Sequence, residues 1–138
     1  MKPSVHISLK VRNLHQSVDF YRRFFGDPAK LKADYAKFVT REPEIHLALG
    51  PGLETSSRAG ALSHLGIRVG STGEVERWRA DLVAKGLSVR DEKQTECCYA
   101  LQDKFWLSDP DGNQWEIYTV LEDVERMTEA RSSSCCSA

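Results

Sequence analysis

No stretch of the 138 residues stays apolar long enough to cross a bilayer, so a helical membrane span is excluded. Basic charge is not in excess either. Nineteen Lys and Arg stand against twenty Asp and Glu, for a formal net charge of -1, and a chain so balanced has no electrostatic means of collecting phosphates. Nucleic acid and membrane are therefore not expected partners. The start, Met1-Lys2-Pro3-Ser4, has no basic stretch followed by an apolar run, so no secretory signal is read and a reducing cytoplasm is expected. The four cysteines should then be thiols. With 41% hydrophobic and 28% charged residues the composition is globular, and the length suits one domain or two small modules sharing a core.

What is present is a repeat. Val5-His6-Ile7-Ser8-Leu9-Lys10-Val11 and Ser63-His64-Leu65-Gly66-Ile67-Arg68-Val69 align His on His and Val on Val at an offset of 58. Both alternate as half-buried strands do, with His6 and His64 opposite the apolar positions. Asn13 with Gln16 and Ser71 with Glu74 read as helix starts, again 58 apart, before apolar residues at helical spacing, and Gly26 and Gly86 as helix stops. Further strands are expected at Tyr35 to Val39, Ile45 to Leu49, Phe105 to Leu107 and Gln114 to Val120. Glu42-Pro43 and Asp109-Pro110-Asp111-Gly112-Asn113 read as turns.

The predicted class is α+β: two βαβββ modules, 4–50 and 62–120, joined by a linker at 51–61 and paired into a single domain over 4–120. Half-chains this small bury too little surface to stand alone. A mobile tail is expected at 121–138. The halves differ in one respect. Aligning His46 with Glu116, the run from the helix-stop glycine to the last strand is 20 residues in the first half and 30 in the second. The surplus contains Cys97-Cys98 and reads as a polar loop, and long loops in compact domains are often functional.

Two features carry chemistry. His6 and His64 occupy equivalent strand positions, and Glu116, in Gln114-Trp115-Glu116-Ile117-Tyr118, adds a carboxylate opposite apolar neighbours. Two imidazoles and a carboxylate form a facial triad suited to Fe(II), with Mn(II), Ni(II), Co(II) and Zn(II) as substitutes. A lone strand histidine is more often structural; the symmetry argues for the triad. His46 stands open as a fourth ligand, a cavity residue or an exposed histidine, and His15 as a solvated one.

Cys97 and Cys98 have Cα atoms about 3.8 Å apart, below the usual disulfide range of roughly 4.4 to 6.8 Å. Adjacent thiols can instead chelate one thiophilic centre: trivalent arsenic with a single carbon substituent, cadmium, mercury or Cu(I). Two buried small hydrophobes are the alternative. Cys135-Cys136 repeat the pair in the tail.

Together the halves resemble the vicinal oxygen chelate superfamily of glyoxalase I, bleomycin resistance proteins and extradiol dioxygenases. Asn13-Leu14 with Ser17-Val18-Asp19-Phe20-Tyr21, Ser63-His64-Leu65-Gly66, Glu96-Cys97-Cys98-Tyr99-Ala100 with Gln102-Asp103-Lys104, and Pro110 through Val120 are similar to the ArsI-type organoarsenical C-As lyases and the related cadmium-induced proteins. The cysteine pair followed by Gln-Asp-Lys and the Trp-Glu-Ile-Tyr strand are the specific parts. The resemblance implies an Fe(II)-dependent dioxygenase, with dioxygen as cosubstrate, that releases arsenite from trivalent organoarsenicals such as methylarsenite or reduced aromatic arsenicals. By position, His64 and Glu116 would be metal ligands and Cys97 with Cys98 the arsenic clamp. Members can carry Gln where this chain has His6. Lys104 and Tyr99 are near enough in sequence to contact the substrate. Rival readings are a cadmium or drug sequestering protein and a glyoxalase-like isomerase using His46. The sites would form within one chain or across a homodimer.

Overall fold

The computed structural model describes residues 3–54, 60–97 and 100–123, and within these the side chains of 94–97, 100–102 and 122–123 are not described. Cys98, Tyr99, Cys135, Cys136 and the tail from 124 therefore lie outside the described residues, as do 55–59 of the linker. The order is β1 (Val5–Val11), α1 (Leu14–Phe25), β2 (Lys30–Lys32), β3 (Tyr35–Arg41), β4 (Glu44–Pro51), β5 (Leu65–Arg68), α2 (Thr72–Ala84), β6 (Arg90–Cys97), β7 (Ala100–Ser108) and β8 (Gln114–Asp123). This is βαβββ twice. Contacts divide the chain into two compact units, Met1–Arg58 with Asp109–Gly112, and Ala59–Ser108 with Asn113–Ala138.

Each unit is a four-stranded sheet with one helix on one face. The first sheet runs β1-β4-β3-β2 and the second β5-β8-β7-β6, each with one parallel pair, β1 with β4 and β5 with β8. Alternation assigns the faces. In the first unit Leu47, Leu49, Ala36 and Phe38 share the helix side with Val11, and Phe38 meets Tyr21 of α1 at 6.1 Å between ring centres. In the second unit Ile67, Ile117, Phe105 and Leu107 form the equivalent buried layer, and α2 contacts β7 and β8. Burying such side chains contributes about 1.5–3 kcal/mol each. His6 and His46 therefore stand on the side of their sheet away from the helix, as do Gly66 and Glu116 of theirs.

The helix ends follow the sequence signals. The Asn13 side chain accepts from the Gln16 N–H at 3.0 Å, and the Ser71 side chain from the Glu74 N–H at 3.2 Å. The Glu74 carboxylate reaches past Ser71 to the Gly70 N–H. Gly86, at φ 88°, follows α2, with Gly86 N–H bonded to Val83 C=O and Leu87 N–H to Leu82 C=O, the paired bonds of a left-handed glycine stop. Arg41 pairs with Glu44 across Glu42-Pro43, whose peptide bond is cis.

Two expectations about length are corrected. The polar stretch around Cys97 is strand, not loop: β6 has 8 residues and β7 has 9, against 3 in β2 and 7 in β3. Backbone groups are satisfied more fully in a ladder than in an open loop, and a register shift between Glu92 and Thr95 absorbs an unpaired residue. Likewise β8 continues past Val120, because Glu122 and Asp123 pair with Leu101 and Ala100 of the lengthened β7.

The turn joining β7 to β8 belongs by its contacts to the first unit. The Tyr21 hydroxyl donates to Asp109 Oδ2 at 2.6 Å in a buried bond, and Arg12 meets Asp111 Oδ1 at 3.1 Å. In the second unit, the Arg79 guanidinium grips Asp91 through two bonds of 2.7 and 2.9 Å, tying α2 to the root of β6. That hydrogen bonding, helped by the charges of Arg79 and Lys93, holds the Asp91 carboxyl below its ordinary value, while burial works against it.

Tyr21→Phe removes a hydrogen bond to a charged acceptor and should lower unfolding free energy by about 1.5–3 kcal/mol, read by urea denaturation. Because the folded-state pKa of Asp91 is depressed, its contribution is present above the unfolded value of about 3.9 and is lost as pH falls through the lower folded value. The melting-temperature gap between the native chain and Asp91→Asn should thus hold steady above about pH 5 and close below it in acid. A gap independent of pH would contradict the pairing.

Candidate metal centre

The face of the second sheet away from α2 gathers charge that sheets seldom bury. On β8 and β7, Glu116 stands opposite Trp106, and Tyr118 opposite Lys104. Glu116, Lys104 and Trp106 are all buried. Leaving a carboxylate and an ammonium out of water is costly unless each answers the other, and here they do: Lys104 Nζ donates to Glu116 Oε2 at 2.9 Å, with the lysine side chain 0% and the glutamate 9% exposed. The ammonium also lies 5.5 Å from the Trp106 ring centre and 5.8 Å from that of Tyr118.

The other oxygen of Glu116 faces a histidine. His64 Nε2 lies 3.5 Å from Oε1, too long for a good hydrogen bond. The His64 ring stands edge-on to Trp106 at 5.1 Å, and its Nδ1 lies 2.9 Å from the Ser63 hydroxyl. A donating Nδ1–H there leaves the Nε2 lone pair free, as a metal-binding imidazole needs.

Gly66 makes room for this arrangement. It pairs directly with Glu116, and a Cβ on it would come within 2.9 Å of Glu116 Cγ and 3.1 Å of Oε1. A glycine inside a strand marks a close approach, and that signal, two residues after His64, was available in the sequence. The partner of Lys104 was not, because only the β7–β8 register sets them side by side. The Lys104 side chain is fully buried against Glu116.

Two atoms each about 2.0–2.2 Å from one divalent ion span roughly 3 to 3.5 Å, so the His64–Glu116 separation and donor types fit a metal. Among the described residues no group of three His, Cys, Asp or Glu side chains is assembled. His6 lies exposed on β1 of the first unit, paired with His46 on β4. His46 Nε2 is 3.3 Å from Glu44 Oε1. This register corrects the repeat alignment. His64 precedes Gly66 by two, so the counterpart of Glu116 is Ala48, which pairs with Ser8, and His46 corresponds to Gln114. The second half is then longer by eight residues, 30 against 22.

Cys97 ends β6 opposite Ala100, the fourth residue before Lys104 on β7. A cavity of about 370 Å³ in the first unit, between α1 and β2, is lined by Leu14, Val18 and Leu31 with His15 and Lys32 among others. None of the expected site residues borders it.

A four-stranded sheet with one parallel pair and a helix on one face, twice over, defines a class. The chain belongs to the glyoxalase/bleomycin resistance protein/dioxygenase superfamily, whose family model matches residues 4–117. Within it, the chain is 43% identical over 133 residues, 95% of its length and 81% of the relative's, to a trivalent organoarsenical cleaving enzyme of Bacillus sp. (strain MD1). It is 39% identical over 142 residues, covering 96% of itself and 91% of the relative, to the cadmium-induced protein CadI of Mycobacterium tuberculosis. Among solved structures, a glyoxalase/bleomycin resistance protein/dioxygenase from Alicyclobacillus acidocaldarius superposes with TM-score 0.68 at 17% identity, over 87% of this chain and 92% of that one. A fosfomycin resistance protein of Listeria monocytogenes, complexed with Mn(II) and sulfate, gives 0.59 at 16% over 86% and 93%. These two share the fold.

Gly66→Val should cost about 1–3 kcal/mol of unfolding free energy through overpacking against Glu116, measured by denaturant titration, with Gly66→Ala in between. An unchanged midpoint for the valine variant would mean that the glutamate does not rest on β5.

Proposed function

We propose that this protein cleaves the carbon-arsenic bond of trivalent organoarsenicals, releasing inorganic arsenite, as an Fe(II)-dependent dioxygenase of the reducing cytoplasm. The observation that carries the reading is the pairing of His64 Nε2 with Glu116 Oε1 at 3.5 Å on a buried sheet face. It occurs in a chain 43% identical to an enzyme named for this cleavage. Methylarsenite and reduced aromatic arsenicals are the proposed substrates, and arsenic detoxification the proposed role. Neither nucleic acid nor a membrane is a proposed partner; among the described residues no helix is long and apolar enough to cross a membrane.

His6, His64 and Glu116 are the proposed ligands, in one chain or across a homodimer. Ni(II), Co(II), Mn(II) or Zn(II) would also suit these donors. Iron, when bound, supplies the activation of dioxygen. The protein's own contribution is placement. Cys97 and Cys98 exchange their two thiol protons for arsenic, expelling its two hydroxyls as two waters, and so fix the carbon substituent in one direction. Holding the reacting groups in register provides much of the acceleration. Cys97 is the last residue of β6 and pairs with Ala100 in β7, the strand that carries Lys104, so the two strands form a hairpin. Arg79 and Asp91 brace the root of this hairpin.

The likeness to CadI supports a second reading, sequestration of a soft metal without turnover. Aerobic incubation of the Fe(II)-loaded protein with methylarsenite separates the two: free arsenite should accumulate beyond one equivalent, whereas a sequestering protein would return the arsenical intact. Cys97→Ser and Cys98→Ser should each abolish arsenical binding while Fe(II) affinity stays within about twofold, since the thiols are not among the metal donors. Simultaneous loss of both affinities would merge the two sites into one.

A further inference from the structure

We propose that Lys104 is a positioning residue that reserves one oxygen of Glu116, so that the glutamate serves a metal through Oε1 alone. The inference rests on the metal reading of His64 and Glu116. Its basis is that the two carboxylate oxygens are already divided: Oε2 accepts from Lys104 Nζ at 2.9 Å, and Oε1 faces His64 Nε2 at 3.5 Å. A carboxylate without such a partner can ligate through both oxygens and occupy two positions on an ion. With Oε2 taken, it occupies one and leaves the other for an incoming molecule.

Three features of the lysine suit this role. Its side chain is 0% exposed, so the ammonium has given up water and depends on its protein partners. The rings of Trp106 and Tyr118, at 5.5 and 5.8 Å, hem it in and keep it from swinging away. Its place is one pleat step along the sheet from Glu116: Trp106 is the direct cross-strand neighbour of the glutamate, and Lys104 the diagonal one, with the long stem needed to span that gap. Stability alone is a poor reason to keep the pair, because apolar replacements of buried ion pairs are often neutral or better. Gly66 completes the device by leaving the glutamate free to lie over β5.

The test uses Co(II) as a spectroscopic probe with the full chain and its variants Lys104→Met and Lys104→Gln. Near-UV circular dichroism reports folding, and a visible absorption titration reports affinity and coordination. The native chain should bind one Co(II). In both variants the ion should still bind, more tightly by about fivefold or more, since a neighbouring positive charge has gone. The visible bands should weaken by about twofold or more, as a second carboxylate oxygen raises the coordination number. Lys104→Arg, which keeps the charge, should restore native affinity and spectrum. A folded methionine or glutamine variant with the native spectrum would overturn the proposal while leaving the metal reading intact. Failure of both variants to fold would assign the lysine to stability and overturn it as well. A native chain that binds no Co(II) would remove the metal reading and this inference with it.

Discussion

A carboxylate withdrawn from water needs a fixed set of partners, and the second unit is organised around meeting that need for Glu116. The parallel pairing of β5 with β8 sets the glutamate across from Gly66, the only residue type that leaves room for its side chain there. The antiparallel pairing of β8 with β7 supplies the lysine and the two rings beside it. His64, one residue before β5, faces the remaining oxygen. Shifting either ladder by one residue would turn the glutamate to the helix side, into the apolar layer of Ile67 and Phe105. Register, more than any single contact, is what makes the site.

The two units show how one topology supports different chemistry. Both have a parallel pair of strands, a helix on one face and a histidine on the other. In the first, the parallel ladder brings His6 beside His46 and leaves Ala48 at the position that Glu116 holds in the second. Ser8 stands where Gly66 does, since that half has no glutamate to accommodate. The repeat thus holds in topology and is unequal in strand length and in donors. The extra residues of the second unit follow the same economy of polar groups: they lengthen a hairpin and draw β8 out to meet it, so added backbone is paired as it is added.

A proposed dithiol that begins at Cys97, the last residue of β6, differs physically from one on a loose loop. The ladder from Arg90 and Trp106 outward gives its base a fixed direction, and the Arg79–Asp91 bridge fastens that base to α2. The register shift after Glu92 is where a bend is easiest. Reach and orientation for a captured ligand would then come from the strands, with the thiols themselves supplying only the bond.

Much of this was legible along the chain. Alternation in Val5–Val11, the 58-residue offset between the histidines, the Asn13 and Ser71 caps and the stop at Gly86 are local signals, governed by side-chain period and by backbone groups that must find partners within a few residues. They determined the βαβββ repeat, the helix limits to within a residue or two, and the candidacy of His64 and Glu116. The tertiary structure decided what depends on which strands lie side by side. It made the stretch before Cys97 a strand, because its partner β7 is distant in pattern though near in sequence. It moved the counterpart of Glu116 from His46 to Ala48, since register across a parallel pair is set by packing of the whole helix face. It also made Lys104 the buried partner of a carboxylate, a pairing that exists only once two ladders have closed around it.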